Sequence, residues 1–394
     1  MTGSGSRPRV CFVAPDVYPL FAGLRNVPAG GAGIQQWMLL QHLKGDLVLS
    51  AVSGDHGQRV TEWIDGLNFI MATGPPPGLA SLPPGGGGLF PHLPLDLIST
   101  LEYNPMKWRR PLENALWRGM NAADADLYFQ MTADWMTGAA AEYCREAGRP
   151  FIFATASDED CTLETRDPAM KRLILRGMGS AAAVVAQTDE QSRMLRENFD
   201  LDPVVIPSIW PMDPAQAPSG EGDHVLWAGR IDGNKRPELV LEAARANPQI
   251  KFVMAGYPGD RDLYERIAAG ASELKNLEFL GHVPFGSMAT HFAGCRFLLN
   301  TSVHEGLPNT FLQAWSCSRP VLSCGVDPDG VIQGRGLGRV AESPGELPGM
   351  VAGMWKDGRT TMEQGANGRR YVREVHSIER VAPLYLKLFR ECMG

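Results

Sequence analysis

The stretch HVLWAGRIDGNKRPELVLEAA (224–244) joins a short apolar run to a helical segment through a polar turn. The same succession of apolar run, turn and helical period recurs on both sides of a segment at 207–223 that is rich in Pro, Gly, Ser and Asp. Buried strands that alternate with helices are typical of parallel sheets built from βαβ units. The sequence therefore predicts an α/β protein with two domains, each built around a parallel sheet.

The pattern also predicts where each domain begins and ends. We expect a Rossmann-like N-terminal domain at 1–206, a linker at 207–223 and a second Rossmann-like domain at 224–376. A C-terminal helix at 377–394 is expected to pack back on the first domain, and the Pro- and Gly-rich segment 74–90 is expected to be a loop. The predicted strands lie at 9–15, 46–53, 67–73, 126–130, 150–156, 182–187, 203–207, 224–229, 251–256, 277–281, 296–301 and 320–325.

Composition and charge narrow the classes of function. The chain has 394 residues, 44% of them hydrophobic and 21% charged, as in an ordinary globular protein of more than one domain. Its formal net charge of -7 disfavours nucleic-acid binding, which needs a basic surface. Seven dispersed cysteines indicate buried thiols in a reducing compartment rather than a disulfide framework.

The sequence also carries information on location. The N-terminus shows no secretory signal, and no apolar run approaches the ~18 residues of a membrane span. We therefore expect a cytoplasmic protein with no transmembrane segment. The oligomeric state is open, a homodimer being one of the alternatives.

Two cations follow the first strand of the second domain. Arg230 comes directly after the apolar run, Lys235 follows five residues later, and a helix begins near Pro237. Ligands of open α/β sheets bind beyond the carboxyl ends of the strands, where two cations are well placed for a diphosphate. The alternative is a solvated turn that carries two surface cations.

A second candidate element is the loop within TSVHEGLPNTFLQAWSCSRPVL (301–322). Glu305 lies between a strand and a helix, where its carboxylate can accept hydrogen bonds from sugar hydroxyls. The amides of Asn309 and Thr310 open the helix, and free N–H groups there favour phosphate oxygens. Gln313, one turn further on, could reach a ribose. The alternative is a helix cap with an incidental acid.

The run from Val225 to Gly325 resembles the donor domain of the family 4 glycosyltransferases, which are retaining enzymes of the GT-B fold. That family has a Gly-Arg strand end followed by Lys, matched here by Gly229, Arg230 and Lys235. The resemblance implies two Rossmann-like domains that face each other across a cleft. It also implies transfer of a hexosyl unit from a nucleoside diphosphate sugar to a hydroxyl of a carbohydrate, lipid-linked or small-molecule acceptor, with retention of anomeric configuration and without a metal or other cofactor.

The family also carries two acids in the pattern E-x7-E, from which this chain departs. Glu305 occupies the first position, but Gln313 replaces the second acid, which contacts the ribose in the family. An amide can still hydrogen-bond a diol, though without charge. Pro308 replaces the usual Gly and removes one N–H from the phosphate cradle. Both departures bear on the identity of the donor and leave the class of enzyme unchanged.

The resemblance assigns roles to individual residues. Arg230, Lys235 and Glu305 are the expected catalytic residues: the two cations grip the donor diphosphate, and the carboxylate holds hydroxyls of the donor sugar. The further donor-binding residues that we expect are Gly31, Gly33, Gly229, His282, Val283, Leu307, Asn309, Thr310 and Gln313.

The first domain carries a glycine loop ahead of a helix. Gly31 and Gly33 let the backbone approach an anion near a helix N-terminus, and the family has a similar loop that closes over the donor phosphate. A dinucleotide-binding G-x-G-x-x-G is excluded, because Gln36 stands where the third glycine should be and a long loop follows the strand.

Contacts to the acceptor are expected in the first domain. Asp158 and Asp160 form an Asp-x-Asp pair after a strand, for which metal binding and a plain polar turn are the alternatives to acceptor contact. No metal ligand is expected. The expected acceptor-binding residues are Trp108, Arg109, Gln130, Asp134 and Asp158.

Two other functions fit the same sequence. A nucleotide-sugar epimerase or a phosphorylase can share the two-domain fold. A non-catalytic nucleotide-sugar-binding protein would account for Gln313 and Pro308. Multiple turnovers with an acceptor would exclude the binding protein, and the identity of the product would separate a transferase from an epimerase.

Overall fold

Contacts between residues divide the chain into two compact units. The computed structural model describes residues 7–25, 27–72, 115–212 and 220–394. Unit 1 comprises Met1–Ile209 together with Val381–Gly394, and unit 2 comprises Trp210–Arg380.

Unit 1 is built on a parallel sheet with one antiparallel edge. Its described strands are β1 (Arg9–Val13), β2 (Val48–Ser53), β3 (Thr61–Ile64), β4 (Leu67–Met71), β5 (Leu127–Met131), β6 (Phe151–Ala154), β7 (Ala183–Ala186) and β8 (Val204–Val205). They are ordered β3-β4-β2-β1-β5-β6-β7-β8, and every neighbouring pair except β3–β4 is parallel. The helices are α1 (Tyr18–Ala22), α2 (Gly31–Leu43), α3 (115–123), α4 (Trp135–Ala147), α5 (Glu159–Thr162), α6 (Pro168–Gly179) and α7 (Asp189–Phe199).

The antiparallel edge is a hairpin that the apolar pattern does not predict. β3 and β4 are joined by Asp65 and Gly66, whose φ angles are 52° and 82°. Asp-Gly is favoured where both central residues of a two-residue hairpin turn need positive φ. The turn signal is therefore present in the sequence, but β3 has no buried residue and lacks the apolar run that marks the other strands.

Unit 2 is built on a second parallel sheet. Its strands are β9 (His224–Ile231), β10 (Phe252–Pro258), β11 (Leu277–Gly281), β12 (Cys295–Asn300), β13 (Val321–Cys324) and β14 (Gly338–Ala341), ordered β11-β10-β9-β12-β13-β14 and all parallel. The helices are α8 (Glu238–Ala246), α9 (Arg261–Ser272), α10 (Met288–Gly294), α11 (Asn309–Ser316), α12 (Val331–Gly334), α13 (Leu347–Lys356), α14 (Gly358–Tyr371) and α15 (Ile378–Met393). A π-helical segment, Val372–His376, connects α14 to α15. Within the described ranges, none of the helices combines the length and the apolar content that crossing a bilayer requires.

The predicted fold class, an α/β chain with two parallel-sheet domains, is confirmed. Each predicted strand overlaps an observed one, and β14, like β3, has no counterpart in the prediction. That strand opens with Gly338, where an added Cβ would lie 1.9 Å from the carbonyl oxygen of Val321. A glycine required by close backbone approach therefore stands where an apolar residue would have signalled the strand. The seven cysteines are free thiols, and six of them are buried.

The beginning of the segment 207–223, which is predicted to be a linker, is packed inside the protein. Ile209 and Trp210 are both buried. The Gln35 side chain accepts a hydrogen bond from Ile209 N (2.8 Å) and donates one to Ile209 O (3.2 Å), while Trp210 N donates to His376 O (2.7 Å). A Pro-rich composition does not prevent burial here, because the backbone groups find internal partners.

The last helix returns to the sheet of unit 1. Although α15 begins in unit 2, its residues from Val381 onward belong to unit 1. Phe389 is fully buried, and its ring lies 6.3 Å from that of Phe12 on β1 and 5.8 Å from that of Phe129 on β5. Burial of a large aromatic ring among others stabilises this attachment.

We expect Phe389→Ala to destabilise unit 1 by about 3–5 kcal/mol, because it removes a fully buried ring and leaves a cavity against the sheet. Urea unfolding would measure the change in free energy. Lys387→Ala on the same helix, where the lysine side chain is 73% exposed, is the control. It should change the free energy of unfolding by less than about 0.5 kcal/mol. Equal unfolding midpoints for the two variants would contradict the packing of α15 on this sheet.

Candidate functional site

Two neighbouring strands of unit 2 bring predicted catalytic residues together. β9 and β12 are adjacent and parallel, so the turn after β9 and the loop after β12 lie at the same edge of the sheet. Lys235 in the turn and Glu305 in the loop form an ion pair between Nζ and Oε1. Their side chains are only 24% and 14% exposed, so solvent and salt screen this attraction less than that of an open surface pair.

Among the described residues, only one of the two carboxylate oxygens of Glu305 has partners. Its Oε1 also accepts a hydrogen bond from Ser302 Oγ at 2.6 Å. In the described part of the chain, Oε2 takes no hydrogen bond. One oxygen is therefore fixed by the protein, and the other can accept from a ligand hydroxyl.

Arg230 lies in β9 and is oriented by an acid of the following turn. Its Nε donates to Asp232 Oδ2 at 2.5 Å, while Asp232 Oδ1 accepts from Lys235 N at 3.0 Å. Burial acts to lower the pKa of Arg230, but the hydrogen bond and charge of Asp232 outweigh it, so the pKa is raised. The guanidinium is thus cationic, and its side chain, 57% exposed, can meet an anion from solvent.

Asn234 holds the turn after β9 against the loop after β12. Its Nδ2 donates to His304 O (3.0 Å), and its Oδ1 accepts from His304 N (3.1 Å). Its backbone carbonyl accepts from Val303 N (2.8 Å). Because Asn234 precedes Lys235 and His304 precedes Glu305, these bonds fix the two charged residues relative to each other.

Helix α11 begins directly after the loop that carries Glu305. Pro308 is its N-cap residue and no side chain caps it. Asn309 and Thr310 are partly exposed, whereas Leu307 is buried. The N–H of Thr310 has no hydrogen-bond partner among the described residues. This helix N-terminus therefore offers a free amide and the positive end of the helix dipole.

The other predicted donor residues of unit 2 lie on elements that open at the same edge. Gln313 is partly exposed, and its side chain makes no hydrogen bond to the described residues. His282 and Val283 follow β11, and the His282 ring meets that of Tyr257, at the end of β10, edge-on at 6.0 Å. Burial lowers the pKa of His282, which favours the neutral imidazole. Gly229 lies in β9, where an added Cβ would make only ordinary contact with Trp227.

The sequence alone does not single out Asn234 and Ser302, although both position the predicted residues. Ser302 stands three residues before Glu305, a Ser-x-x-Glu spacing typical of helix caps that could have pointed to it. Asn234 carries no such signal, because its side-chain partner follows 70 residues later.

In unit 1 the glycine loop leads into α2. Gly30 is the extended N-cap residue (φ −71°, ψ 160°), and α2 starts at Gly31 without a side-chain cap. A Cβ added at Gly33 would lie 3.5 Å from Asp16, an ordinary contact, so sterics alone do not demand a glycine there. The helix thus starts at a glycine with no side-chain cap at Gly30, and the donor contacts of Gly31 and Gly33 stay predictions.

The structure does not agree with an acceptor contact for Gln130. Its side chain is fully buried. Its amide nitrogen donates to Thr132 O (2.5 Å), and its oxygen accepts from Thr137 Oγ1 (3.0 Å). Because both ends of the amide are occupied, this side chain stabilises the turn after β5. Trp108 and Arg109, which are also predicted to contact the acceptor, lie outside the described residues, as does the segment 74–90.

Both aspartates of the Asp-x-Asp pair accept hydrogen bonds from other groups of the protein. Asp160 is buried and accepts from the backbone N–H groups of Ala133 (2.9 Å) and Ala156 (2.7 Å), which follow β5 and β6. Asp158 accepts from Gln191 Nε2 at 3.1 Å. Among the residues that the structure describes, no three His, Cys, Asp or Glu side chains gather as metal ligands would. Asp160 therefore joins two strand ends, and an acceptor contact of Asp158 stays a prediction.

Asp134 is the N-cap residue of α4 and accepts from Met136 N at 2.8 Å. Burial raises the pKa of Asp134 to about 7; the Met136 hydrogen bond and the charge of Arg166 oppose this shift, and Asp160 adds to it. A carboxyl with this pKa changes charge near neutral pH.

Residues 222–354 match the sequence model of the family described as Glycosyl transferases group 1. This segment lies within unit 2 and runs from β9 beyond β14. It contains Arg230, Lys235 and Glu305 together with the helix start after them.

Curated relatives are similar over less than half of the chain. The D-inositol 3-phosphate glycosyltransferase of Mycobacterium leprae is 27% identical over 44% of this chain and 47% of that protein. The protein of the same name from Geodermatophilus obscurus is 30% identical over 38% of this chain and 39% of that protein. The chain thus spans less than half the length of these relatives.

Solved structures match nearly the whole chain. Sucrose-phosphate synthase from Thermosynechococcus elongatus superimposes with a TM-score of 0.75 at 15% identity, over 98% of this chain and 99% of that one. HepE from Anabaena, solved in complex with UDP and glucose, gives a TM-score of 0.70 at 14% identity, over 97% and 99%. At such identities the likeness shows the fold, which is that of GT-B proteins.

We expect Asp134→Asn to change the pH dependence of folding. Because the folded-state pKa of Asp134 lies above its ordinary value of 3.8, its contribution to stability is complete below that value and is lost as the pH rises through about 7. Asn can cap the helix without ionising. In urea unfolding, the stability of the variant relative to the wild type should therefore rise by about 2 kcal/mol between pH 5 and pH 8.

The control for this experiment is Asp260→Asn, which makes the same exchange at the exposed N-cap of α9. It supplies the baseline for replacing a capping carboxylate by an amide. Identical pH profiles for the two variants would contradict the raised pKa of Asp134.

Proposed function

We propose that this protein is a retaining glycosyltransferase that moves a hexosyl unit from a nucleoside diphosphate sugar to an acceptor hydroxyl. The observation that carries the proposal is the ion pair of Lys235 and Glu305 ahead of α11, within a segment similar to Glycosyl transferases group 1. It holds a cation suited to a diphosphate beside a carboxylate suited to sugar hydroxyls.

The donor would lie along the carboxyl edge of the sheet of unit 2. We assign the diphosphate to Arg230 and Lys235, since the free amide of Thr310 and the dipole of α11 favour negative charge at the same place. We assign a hydroxyl of the donor sugar to Oε2 of Glu305. Because HepE is solved with UDP and glucose, a UDP-hexose is the first donor to test.

The nucleoside would extend away from the diphosphate. Gln313, whose side chain is open, is our candidate for the ribose, with an amide in place of the acid that the resemblance leads one to expect. The base would meet the backbone near His282 and Val283. No metal has a part in this arrangement, since the two cations and the helix N-terminus supply the positive charge.

The reaction breaks the bond between C1 of the hexosyl unit and the β-phosphate oxygen, whose electron pair leaves with the nucleoside diphosphate. The acceptor oxygen bonds to C1 on the face from which the phosphate departs, and its proton passes to the departing phosphate oxygen. Negative charge grows on the β-phosphate, where Arg230 and Lys235 stabilise it electrostatically. The leaving group itself accepts the proton, so this route needs no protein base.

The alternatives differ in their products. An epimerase would release a changed nucleotide sugar without an acceptor, and a phosphorylase would consume phosphate. A non-catalytic protein would bind the nucleotide sugar without turnover. Product analysis over multiple turnovers, with and without candidate acceptors, separates all of these from a transferase.

We expect one of UDP, GDP, ADP and dTDP, with UDP the first candidate, to bind with an affinity that EDTA leaves unchanged. Lys235→Ala should weaken this binding by about 10–100-fold, because it removes a charge-assisted contact to the diphosphate. Calorimetric titration measures both effects. Lys251→Ala is the control, because this half-exposed lysine precedes β10 at the opposite edge of the sheet. Failure to bind any of the four nucleotides, or binding that EDTA abolishes, would contradict the proposed donor site.

Glu305→Gln is expected to separate nucleotide binding from sugar transfer. The affinity for UDP should stay the same or rise, because Lys235 loses the carboxylate that competes with the diphosphate. The kcat/KM for the nucleotide sugar should fall by about 10–100-fold, because the charged acceptor for a sugar hydroxyl is gone. Equal losses in UDP affinity and in kcat/KM would count against contact of Glu305 with the sugar.

A further inference from the structure

Arg236 ties the ends of three neighbouring strands together. It follows β9, and its Nε donates to Thr301 O at 2.7 Å. Its Nη2 donates to Ser302 O (3.0 Å) and to Cys324 O (3.1 Å). Thr301 and Ser302 directly follow β12, and Cys324 ends β13. One planar guanidinium thus bonds to carbonyl groups at the carboxyl ends of both strands.

The backbone of Arg236 is held in a conformation that its residue type disfavours. Its φ is +43°, in the left-handed region. The following residue is Pro237, which restricts the preceding residue further. Strained residues of this kind persist only where the surrounding structure fixes them, and they cluster at functional sites. Here the side-chain hydrogen bonds to Thr301, Ser302 and Cys324 hold the backbone of Arg236 in this conformation.

The same bonds reach both members of the candidate ion pair. On one side, Arg236 is bonded through the chain to Lys235, whose carbonyl accepts from Thr301 Oγ1 at 2.5 Å. On the other side, it binds the carbonyl of Ser302, the residue whose hydroxyl donates to Glu305 Oε1. The guanidinium therefore acts on the positions of Lys235 and Glu305 through backbone carbonyls.

We propose that Arg236 is a positioning residue of the donor site, which holds Lys235 and Glu305 in register for a nucleoside diphosphate. This inference rests on the proposed function. The competing view is that Arg236 only stabilises the fold of unit 2, and the chain contains a matched arginine that distinguishes the two.

Arg319 is that control. It too precedes a proline, and it donates to backbone carbonyls of Ala293 and Gly220. These carbonyls precede β12 and β9, at the edge of the sheet opposite to the candidate site. Arg319 is buried, so its replacement tests what the loss of a structural arginine does to unit 2 in general.

The test measures the Tm of each variant and, by calorimetry, its affinity for whichever of UDP, GDP, ADP and dTDP the wild type binds, taken below as UDP. We expect Arg236→Gly, which tolerates the positive φ but lacks the guanidinium, to weaken UDP binding by at least about tenfold. Arg236→Lys keeps one cationic donor and should lie between Gly and the wild type. Arg319→Lys should bind UDP within about twofold of the wild type while its Tm falls at least as far as that of Arg236→Lys.

Each outcome decides between the possibilities. UDP binding by Arg236→Gly as tight as that of the wild type would overturn the positioning role and leave the proposed function standing. The positioning role would also be overturned if Arg319→Lys lost affinity for UDP in the same proportion to its fall in Tm as Arg236→Lys does. Affinity would then follow stability alone. If the wild type binds none of UDP, GDP, ADP and dTDP, the proposed function and this inference both fail.

Discussion

The attraction between Lys235 and Glu305 is the interaction on which the candidate site depends. The two residues are 70 positions apart, and only a parallel sheet that places β12 beside β9 brings them into contact. In a largely shielded position each charge would be costly alone, so each stabilises the other. A site whose charges are paired before a ligand arrives can take up an anion by exchanging partners, with little movement of the backbone.

The loops around this pair are held by side-chain hydrogen bonds in addition to backbone ones. Loops beyond the ends of parallel strands leave carbonyl and amide groups without ladder partners. Asn234 and Arg236 supply those partners across strands, and the Ser302 hydroxyl holds the Glu305 carboxylate within its loop. A rigid frame of this kind suits the proposed binding of a diphosphate and a sugar at a fixed distance, because loosely held groups lose the benefit of orientation.

Unit 1 uses its polar groups differently. Gln130 and Asp160, which lie at or just beyond the ends of β5 and β6, are turned inward and satisfy backbone and side-chain partners of neighbouring turns. Asp134 is a helix cap with a pKa near neutrality. The ends of parallel strands are thus not automatically ligand sites, since the same polar residues can serve the turns that connect strand to helix. The charges of unit 2, by contrast, keep an unoccupied carboxylate oxygen and an exposed guanidinium.

The sequence by itself determines the fold class and singles out the three charged residues of the candidate site. Both are local signals: apolar runs that alternate with helices, and Arg230, Lys235 and Glu305 after the ends of predicted strands. Only the tertiary structure decides which polar side chains form hydrogen bonds inside the protein. Gln130 is predicted to contact an acceptor and Arg236 carries no signal in the sequence, yet Gln130 is buried and Arg236 bridges strand ends. The reason is physical, because burial and hydrogen-bond partners distant in the chain leave no periodic signal and arise only when the chain packs.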